Sequence, residues 1–478
     1  MNREIKVKRL KNKIEILKKI DLTKYNRSDI GAGDLFCKVY KDEVRYISDQ
    51  DIFMVWKEEK GIWEKVSIGY INELSKEFVL KFMPIMIKRI EDDNERELWL
   101  DWNEKLQANS RRSEMIKSTR SKIGLKAELA DFDKDPRYLN LENGTIDLNT
   151  NKFMPHDRKL MLSKKANVAY DPEARCKRWE KFIPEIMDGD VGLERFLQKA
   201  VGYSICGEPK EHCLFILDGP TTRNGKSTFI NAISNVLGDY ATTIRPETLL
   251  VNKYKSGSAA SPDIARLEGA RFVEVGEFDK TLKLDASNVK SLTGGDRITT
   301  RYLFKDPFEF YPQFVFFFHT NHKIVTDDIT LLKSWRIIDI PFDVHFSPRK
   351  QDMGLKDIFS TPEAKSAILN WILKGHVLYQ EEGIKKNMPR KVHAKIREYE
   401  KDTDPFGQFI KECIVKNPNS KLKTHDINIA YEEWAKENNC ISMSQIHTTK
   451  ELKRRGYQHI RTEKGTFFKG IELKMNEM

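Results

Sequence analysis

The chain has 478 residues and a formal net charge of +11 at pH 7, which leaves room for several domains and favours polyanionic partners. Its six cysteines are scattered, without C-x-x-C or zinc-ligand spacing, which predicts a reduced protein without a structural metal. The longest apolar runs hold about five residues, too few to span a membrane, so we expect no membrane partner.

Composition and turn signals predict an α/β protein in five parts. The first four parts are an N-terminal α+β region, a helical collar segment, a core rich in buried strands, and a helical extension with a basic connector. The fifth is a small C-terminal domain. The expected boundaries are 1–125, 126–205, 206–350, 351–401 and 402–478.

The stretch GPTTRNGKST, residues 219–228, nearly matches the phosphate-binding pattern G-x-x-x-x-G-K-[ST], with its first glycine one residue early. An apolar run precedes it and helically spaced apolar residues follow, as for a buried strand leading into a helix. Backbone N–H groups of such a loop wrap phosphates, a lysine reaches the terminal phosphates, and a hydroxyl holds Mg2+. The alternative is a polar turn without a ligand. The expected ATP-binding residues are Gly219, Thr222, Asn224, Gly225, Lys226, Ser227 and Thr228.

Carboxylates for such a site are available in RFVEVGEFDK, residues 271–280. Glu277 lies just past the predicted strand and is the expected catalytic acid, and with Ser227 it forms the expected Mg2+ ligand set. Either Glu274 or Asp279 can be the second carboxylate. An ordinary charged strand end is the alternative interpretation.

Two more polar side chains border predicted strands downstream. Asn321 follows the apolar run Phe314 to Phe318, and this strand is expected beside the phosphate-loop strand, with Asn321 facing the terminal phosphate. Arg336 directly precedes the apolar run in SWRIIDIPF. A buried strand seldom begins with an arginine unless that arginine pairs with a specific partner. Both are expected to be catalytic, and an ordinary turn residue after a buried strand is the alternative for Asn321.

Between these segments, residues 298–311 read as a β-hairpin with Lys305 at its tip and Arg301 on its flank. A basic hairpin tip beside a motor site suits contact with a DNA backbone. A surface hairpin with an incidental lysine is the alternative.

The ordered motifs resemble the superfamily 3 helicases, specifically the phage, plasmid and poxvirus primase-helicase family. The resemblance covers residues 130–345 and rests on GPTTRNGKST, RFVEVGEFDK, KSLTGGDRITTRYLF and FFFHTN, together with upstream segments such as FLQKAVGYSICGE. This chain departs from the family pattern in its longer phosphate loop and in motif B acids that are not adjacent.

The resemblance implies an AAA+-like P-loop motor that works as a ring hexamer on ATP and Mg2+. It implies that Glu277 is the motif B acid, Asn321 is the motif C sensor and Arg336 is an arginine finger acting on a neighbour's ATP. It also assigns Lys290, Arg301 and Lys305 to the DNA-contacting motif. By this resemblance the chain is expected to be a replication initiator of a mobile element in a bacterial host, and the cysteine usage predicts a cytoplasmic location.

Residues 402–478 read as three helices followed by a two-stranded wing, which describes a winged-helix domain. The third helix is expected in the major groove of duplex DNA, with Lys450, Lys453 and Arg454 on the phosphates. A protein-docking domain of the same shape is the alternative.

Three functions compete on this sequence. The first is an ATP-driven DNA helicase that forms a ring and melts a replication origin, binding single- and double-stranded DNA. The second is a primase or primase-helicase, because residues 131–133 form a D-x-D. Only about 130 residues precede that motif, too few for a primase domain, so we expect any primase to be a separate partner. The third is a DNA-binding regulator that uses ATP only to assemble.

Overall fold

A computed structural model gives the architecture of the chain. Among the residues it describes, no helix is long and apolar enough to cross a membrane. The described residues are 3–122, 124–219, 221–250, 261–276, 283–304, 306–321, 325–326, 328, 330–438, 440, 442–463 and 465–474.

The N-terminal part packs helices around a four-stranded sheet of order β3-β2-β1-β4, in which β4 runs parallel to β1. Its core is aromatic: Phe36 and Tyr40, four residues apart on one helix, have ring centroids 4.6 Å apart. The elements are α1 (Arg3–Lys18), α2 (Asp29–Tyr40), β1 (Val44–Ile47), β2 (Ile52–Lys57), β3 (Ile62–Val66), α3 (Ile68–Glu77), α4 (Met83–Ile87), α5 (Asp93–Leu106), α6 (Asn109–Thr119) and β4 (Lys126–Ala127).

A small antiparallel sheet and two helices come next along the chain. Asp190 caps the second of these helices, because its carboxylate accepts the backbone N–H of Leu193 at 3.1 Å. The elements are β5 (Tyr138–Asn140), β6 (Thr145–Asp147), β7 (Lys152–Met154), α7 (Lys177–Ile186) and α8 (Val191–Ser204).

The central part of the chain contains nine strands and four α-helices among its described residues. They are β8 (Leu214–Asp218), α9 (Lys226–Leu237), β9 (Ala241–Ile244), α10 (Pro262–Ala265), β10 (Phe272–Val275), β11 (Lys283–Leu284), α11 (Ala286–Thr293), β12 (Ile298–Thr300), β13 (Phe308–Phe310), β14 (Val315–Thr320), β15 (Val325–Thr326), α12 (Thr330–Lys333) and β16 (Ile337–Pro341).

Five of these strands form one parallel sheet of order β16-β8-β14-β10-β9. The sheet is covered on both faces, since alternate residues of β8 and β14 enter two different core clusters. That double burial explains the unbroken apolar runs in the sequence. The predictions that β8 and β14 are buried strands and neighbours are confirmed.

The predicted hairpin is present: β12 pairs antiparallel with β13, with Thr300 opposite Phe308. Arg301 follows β12 and is exposed. Phe304, in the connection, is fully exposed. Lys305, the expected tip, lies outside the described residues.

The remaining elements are α13 (Leu355–Ser360), α14 (Pro362–Glu382), α15 (Arg390–Thr403), α16 (Pro405–Cys413), β17 (Ile414–Lys423), α17 (Thr424–Glu437), α18 (Gln445–Arg454), β18 (His459–Thr462) and β19 (Gly465–Leu473). Helix α14 crosses α8 at a glycine contact, because a Cβ on Gly202 would lie 2.0 Å from the carbonyl carbon of Gly375.

The C-terminal part has the three expected helices and its own core around Phe409 and Tyr431, but its sheet differs from the prediction. The sequence predicts a two-stranded wing and a first helix that includes Ile414 and Val415. The helix instead ends at Cys413, and these β-branched residues begin β17, a third strand that pairs with β19.

Candidate nucleotide site

The phosphate-binding loop lies where β8 ends, and two glycines permit its path. A Cβ on Gly219 would lie 2.2 Å from Asn224 Nδ2 and 2.7 Å from the Phe342 carbonyl oxygen. Gly225 has φ +88, in the left-handed region, and a Cβ there would lie 2.5 Å from Ile186 Cγ2. Both positions therefore require glycine.

The rest of the loop is held by hydrogen bonds. The buried Asn224 amide donates to the Thr221 carbonyl at 2.7 Å. From the segment after β16, His345 Nδ1 donates to the Thr222 carbonyl at 2.9 Å, and the Phe346 N–H donates to the Arg223 carbonyl at 2.9 Å. Pro220 lies outside the described residues. These bonds shape the half of the loop that contains the extra residue.

Lys226 and Asn321 meet at the carboxyl edge of the sheet. Lys226 Nζ donates to Asn321 Oδ1 at 2.8 Å, and the lysine is 2% exposed. The contact follows from topology, because β14 pairs with β8 so that Thr320 lies opposite Asp218 and the next residue faces the loop. Two residues 95 positions apart, each predicted to face the terminal phosphate, thus lie in direct contact.

The first turn of α9 supplies the remaining predicted ligands. Ser227 is exposed and Thr228 is partly exposed, and both follow directly on Lys226. The first N–H groups of a helix have no intrahelical acceptor, so this turn presents donors as well as hydroxyls to the loop.

A hydrogen-bonded carboxylate lies on the adjacent strand. Glu274 accepts from His319 Nε2 at 2.9 Å and from Thr243 Oγ1 at 3.1 Å. The hydrogen bond from His319 holds the pKa of Glu274 below its usual range. The expected acid Glu277 and the alternative second carboxylate Asp279 both lie outside the described residues, so these assignments stay predictions.

The sequence interpretation did not include His319. The hydrogen bond between His319 and Glu274 depends on the register of β10 and β14. Glu274 pairs with Phe317, and His319 is two residues further along β14, on the same face of the sheet. A polar residue ending an apolar run opposite an acid is the signal that would have indicated it.

Arg336 lies at the other edge of the same sheet. It directly precedes β16, whose Ile337 pairs with Leu214 at the start of β8. Four residues of strand, about 13 Å, therefore separate it from the edge that bears the phosphate loop. Its Nη1 donates to Thr293 Oγ1 at 2.6 Å and approaches the Lys290 carbonyl at 3.4 Å.

Lys290 is on α11, beside Arg336, and its Nζ lies 2.5 Å from Asp328 Oδ2. The hydrogen bond from Lys290 lowers the pKa of Asp328 to about 2. The lysine is 44% exposed, which leaves it accessible from solvent at the amino edge of the sheet.

The predicted duplex-binding residues are on the outer face of α18. Lys450 and Lys453 are exposed, whereas Thr448 and Leu452 are buried and fix the rotation of the helix. Arg454 is also exposed and forms an ion pair with Glu451 at 2.8 Å, i,i+3 on the helix.

Two parts of the chain match known protein families. Residues 33–188 match the family described as D5 N terminal like, and residues 217–331 match a family of unknown function, DUF5906. The first match covers most of the N-terminal region and part of the collar, and the second runs from the end of β8 to the start of α12.

Curated relatives come from large DNA viruses. A protein of Acanthamoeba polyphaga mimivirus, provisionally named a helicase, is 27% identical over 66% of this chain and 36% of its own length. A similarly named protein of Frog virus 3 is 29% identical over 52% of this chain and 27% of its own. A protein of African swine fever virus, provisionally named a primase, is 21% identical over 64% and 34%.

This chain therefore spans about a third of the length of the curated relatives it matches. The similarity is thus to the D5 N terminal like family over residues 33–188, and to viral proteins provisionally named helicase or primase. Because the relatives are viral, the comparisons do not support the bacterial host expected from the sequence.

Solved structures of the apo C terminal region of NrS-1 share the fold. One aligns with a TM-score of 0.51 at 9% identity, covering 90% of this chain and 96% of that chain. A second gives a TM-score of 0.50 at 10% identity, with the same coverage. At this identity the likeness concerns the mixed α/β fold alone.

Proposed function

We propose that this chain is an ATP-driven DNA helicase of the superfamily 3 type, which assembles as a ring, melts a replication origin and unwinds DNA for a mobile element. The observation that carries the proposal is the contact between Lys226 and Asn321 beside a loop that only glycines permit. A polar turn without a ligand does not require a buried lysine at that place.

The residues present fit MgATP. Gly219 lets the Lys226 ammonium approach the loop backbone, since a Cβ there would lie 2.9 Å from Lys226 Nζ, and the Ser227 hydroxyl directly follows this lysine. When bound, MgATP would supply the scissile phosphoanhydride bond and a metal that neutralises its charge. Lys226 would bind the terminal phosphates, and Asn321, which already positions the lysine, would orient the attacking water.

Ring assembly is supported by the position of Arg336. Its side chain lies at the amino edge of the sheet, roughly 13 Å of strand away from its own phosphate loop. An arginine placed there can complete only a site on another copy of the chain. We therefore propose a homo-oligomer, of the six subunits that the resemblance implies.

DNA contact is proposed on two surfaces. Lys290, Arg301 and Lys305 would contact the strand passing through the ring, and Lys450, Lys453 and Arg454 would contact duplex phosphates. The net charge of +11 is in keeping with a polyanionic partner.

A second candidate is a helicase that acts with a primase, favoured by the relative named a primase. A primase site at the D-x-D of residues 131–133 is disfavoured by its contacts. Asp131 accepts from the Glu128 N–H at 2.9 Å, and Asp133 accepts from the N–H and the hydroxyl of Ser163. Both carboxylates thus accept hydrogen bonds from backbone N–H groups of the chain itself. We propose that any priming is done by a separate polypeptide.

The test is ATP hydrolysis and fork unwinding by the full chain. We expect hydrolysis stimulated by single-stranded DNA, its complete loss in Lys226→Ala, and normal rates in the control Lys210→Ala, an exposed lysine paired with Glu208. Turnover by Lys226→Ala near the parent rate would remove the assigned site. ATP binding without DNA-stimulated hydrolysis or unwinding would favour the regulator that uses ATP only to assemble.

A further inference from the structure

The C-terminal end of α11 forms a hydrogen-bonding site for the Arg336 side chain. Thr293, the last residue of α11, is 5% exposed, and its hydroxyl donates to the Val289 carbonyl at 2.6 Å. The hydroxyl oxygen accepts from Arg336 Nη1 at 2.6 Å. One hydroxyl can do both, because it carries one proton and two lone pairs.

The position of the hydroxyl is itself fixed. His212 Nδ1 donates to the Thr293 carbonyl at 2.9 Å, which ties the end of α11 to the segment just before β8. The Lys290 carbonyl lies 3.4 Å from the same arginine nitrogen. A guanidinium beside the carbonyl end of a helix is also favoured electrostatically.

The backbone of Arg336 is held as well. Its N–H donates to the Leu331 carbonyl at 2.9 Å, and its carbonyl accepts from the Leu214 N–H at 2.8 Å. Trp335, directly before it, has φ +60, a conformation that costs a bulky residue free energy and persists where the surroundings enforce it. The backbone hydrogen bonds thus fix the position of the Arg336 main chain, and the hydrogen bond to Thr293 fixes the direction of its side chain.

We propose that Thr293 is a positioning residue for the arginine finger: its hydroxyl holds the Arg336 guanidinium in the direction that reaches the phosphates bound by a neighbouring subunit. The inference rests on the proposed function, in which Arg336 acts on a neighbour. It adds a residue that touches no nucleotide and acts only through the arginine.

The matched variants follow from the chemistry of the hydroxyl. Thr293→Val keeps the shape and loses both hydrogen bonds, whereas Thr293→Ser keeps both. Thr119→Val is the control, because Thr119 is also buried, also ends a helix, α6, and also donates to a carbonyl of its own helix, that of Ile116. It lies in the N-terminal part, away from the sheet.

The experiment measures ATP hydrolysis by the full chain and binding of a fluorescent ADP with and without aluminium fluoride, a mimic of the transferring phosphoryl group. We expect Thr293→Val to lower kcat roughly 10- to 100-fold at unchanged KM, since a misplacement of about 1 Å can cost that much. Binding of ADP alone should not change, and the tightening caused by aluminium fluoride should be lost. Thr293→Ser and Thr119→Val should behave as the parent.

Non-additivity separates positioning from damage to the fold. Thr293→Val combined with Arg336→Ala should be no slower than Arg336→Ala alone, because the threonine has nothing left to position. In denaturant unfolding, the two substitutions should also be non-additive, which reports the contact without reference to activity.

The outcomes are distinguishable. Additive unfolding effects, or a Thr293→Val enzyme as fast as the parent while Arg336→Ala is slow, would overturn the role of Thr293 and leave the helicase proposal intact. A parent chain that does not hydrolyse ATP, or an Arg336→Ala chain that is fully active, would overturn the finger and Thr293 together.

Discussion

The two edges of the five-stranded sheet are built differently. At the carboxyl edge, Lys226 and Asn321 are in contact and Lys226 is buried, so the predicted phosphate site is compact and formed within one chain. At the amino edge, Lys290 and Arg336 are partly exposed: the Lys290 ammonium pairs with Asp328, and the Arg336 guanidinium donates to Thr293. The first edge is the proposed nucleotide site, and the second presents cations outward.

This difference follows from strand direction. Because all five strands are parallel, every loop that follows a strand comes to the carboxyl edge, as the phosphate loop and Asn321 do. Arg336 precedes its strand and must lie at the opposite edge. Under the proposed function, each edge therefore contributes half of an ATP site, and two adjacent chains in a ring would complete a site between them.

The largest test of this comparison is Arg336→Ala. We expect ATP binding to persist and hydrolysis to fall by about 10³- to 10⁵-fold, the usual contribution of an arginine finger. Mixed with Lys226→Ala chains, the variant should regain part of the activity, because a mixed interface can combine one intact loop with one intact arginine. No recovery at any ratio, in rings shown to exchange subunits, would mean that the two edges do not meet.

Asn321→Ala tests the carboxyl edge, with a smaller effect. Loss of the amide removes the hydrogen bond that positions Lys226 and the group proposed to orient water. We expect kcat to fall roughly 10²-fold, within the range for one polar group acting on a developing charge, with little change in KM. Mixing with Lys226→Ala should not restore activity, because both changes affect the same half. Recovery in that mixture would place Asn321 at the other edge.

The sequence predicts the parts of this arrangement that depend on neighbouring residues, and it does not predict the contacts between residues far apart in the chain. The apolar runs of β8 and β14 and the glycine-lysine pattern are local, so the strands, helix α9 and the loop were all predictable. The pairing of His319 with Glu274 depends on the register of two strands about 40 residues apart, which periodicity does not report. Strand β17 was missed because a short helix and a strand follow each other without a break at Cys413.

The C-terminal domain offers a test outside the sheet. Lys450→Ala with Lys453→Ala should lower the slope of log binding constant against log salt by about 0.9 for each phosphate that is no longer neutralised, while ATP hydrolysis stays normal. Lys436→Ala, an exposed lysine on α17, is the control. Duplex binding is to be measured by salt titration of the full chain. An unchanged slope would favour a protein-docking role for α18.

The smallest expected effect is on stability and concerns a buried carboxyl group on β16, the strand beside β8. Asp339, on β16, is 1% exposed, and the charged or titratable groups around it are Asp218, Lys395, Glu398 and Tyr399. Burial, and then the negative charge of Asp218, raise the pKa of Asp339 well above its usual range. The ammonium group of Lys395 lies 2.8 Å from the Asp218 carboxylate and forms its ion pair with Asp218.

The sign of the pH effect follows from linkage. Above the ordinary pKa of an aspartate and below the raised pKa of Asp339, the folded chain binds more protons than the unfolded chain, so its stability falls as pH rises through this window. Asp339→Asn cannot lose a proton and should therefore lose less stability than the parent as pH rises above the ordinary pKa of an aspartate. Urea unfolding at several pH values measures this, with the exposed Asp343→Asn as control. If Asp339→Asn lost stability in parallel with the parent, or were destabilised equally at every pH, the carboxyl group would be ionised and paired with Lys395. The carboxyl edge would then be held together by a charged triad rather than by one ion pair beside a neutral acid.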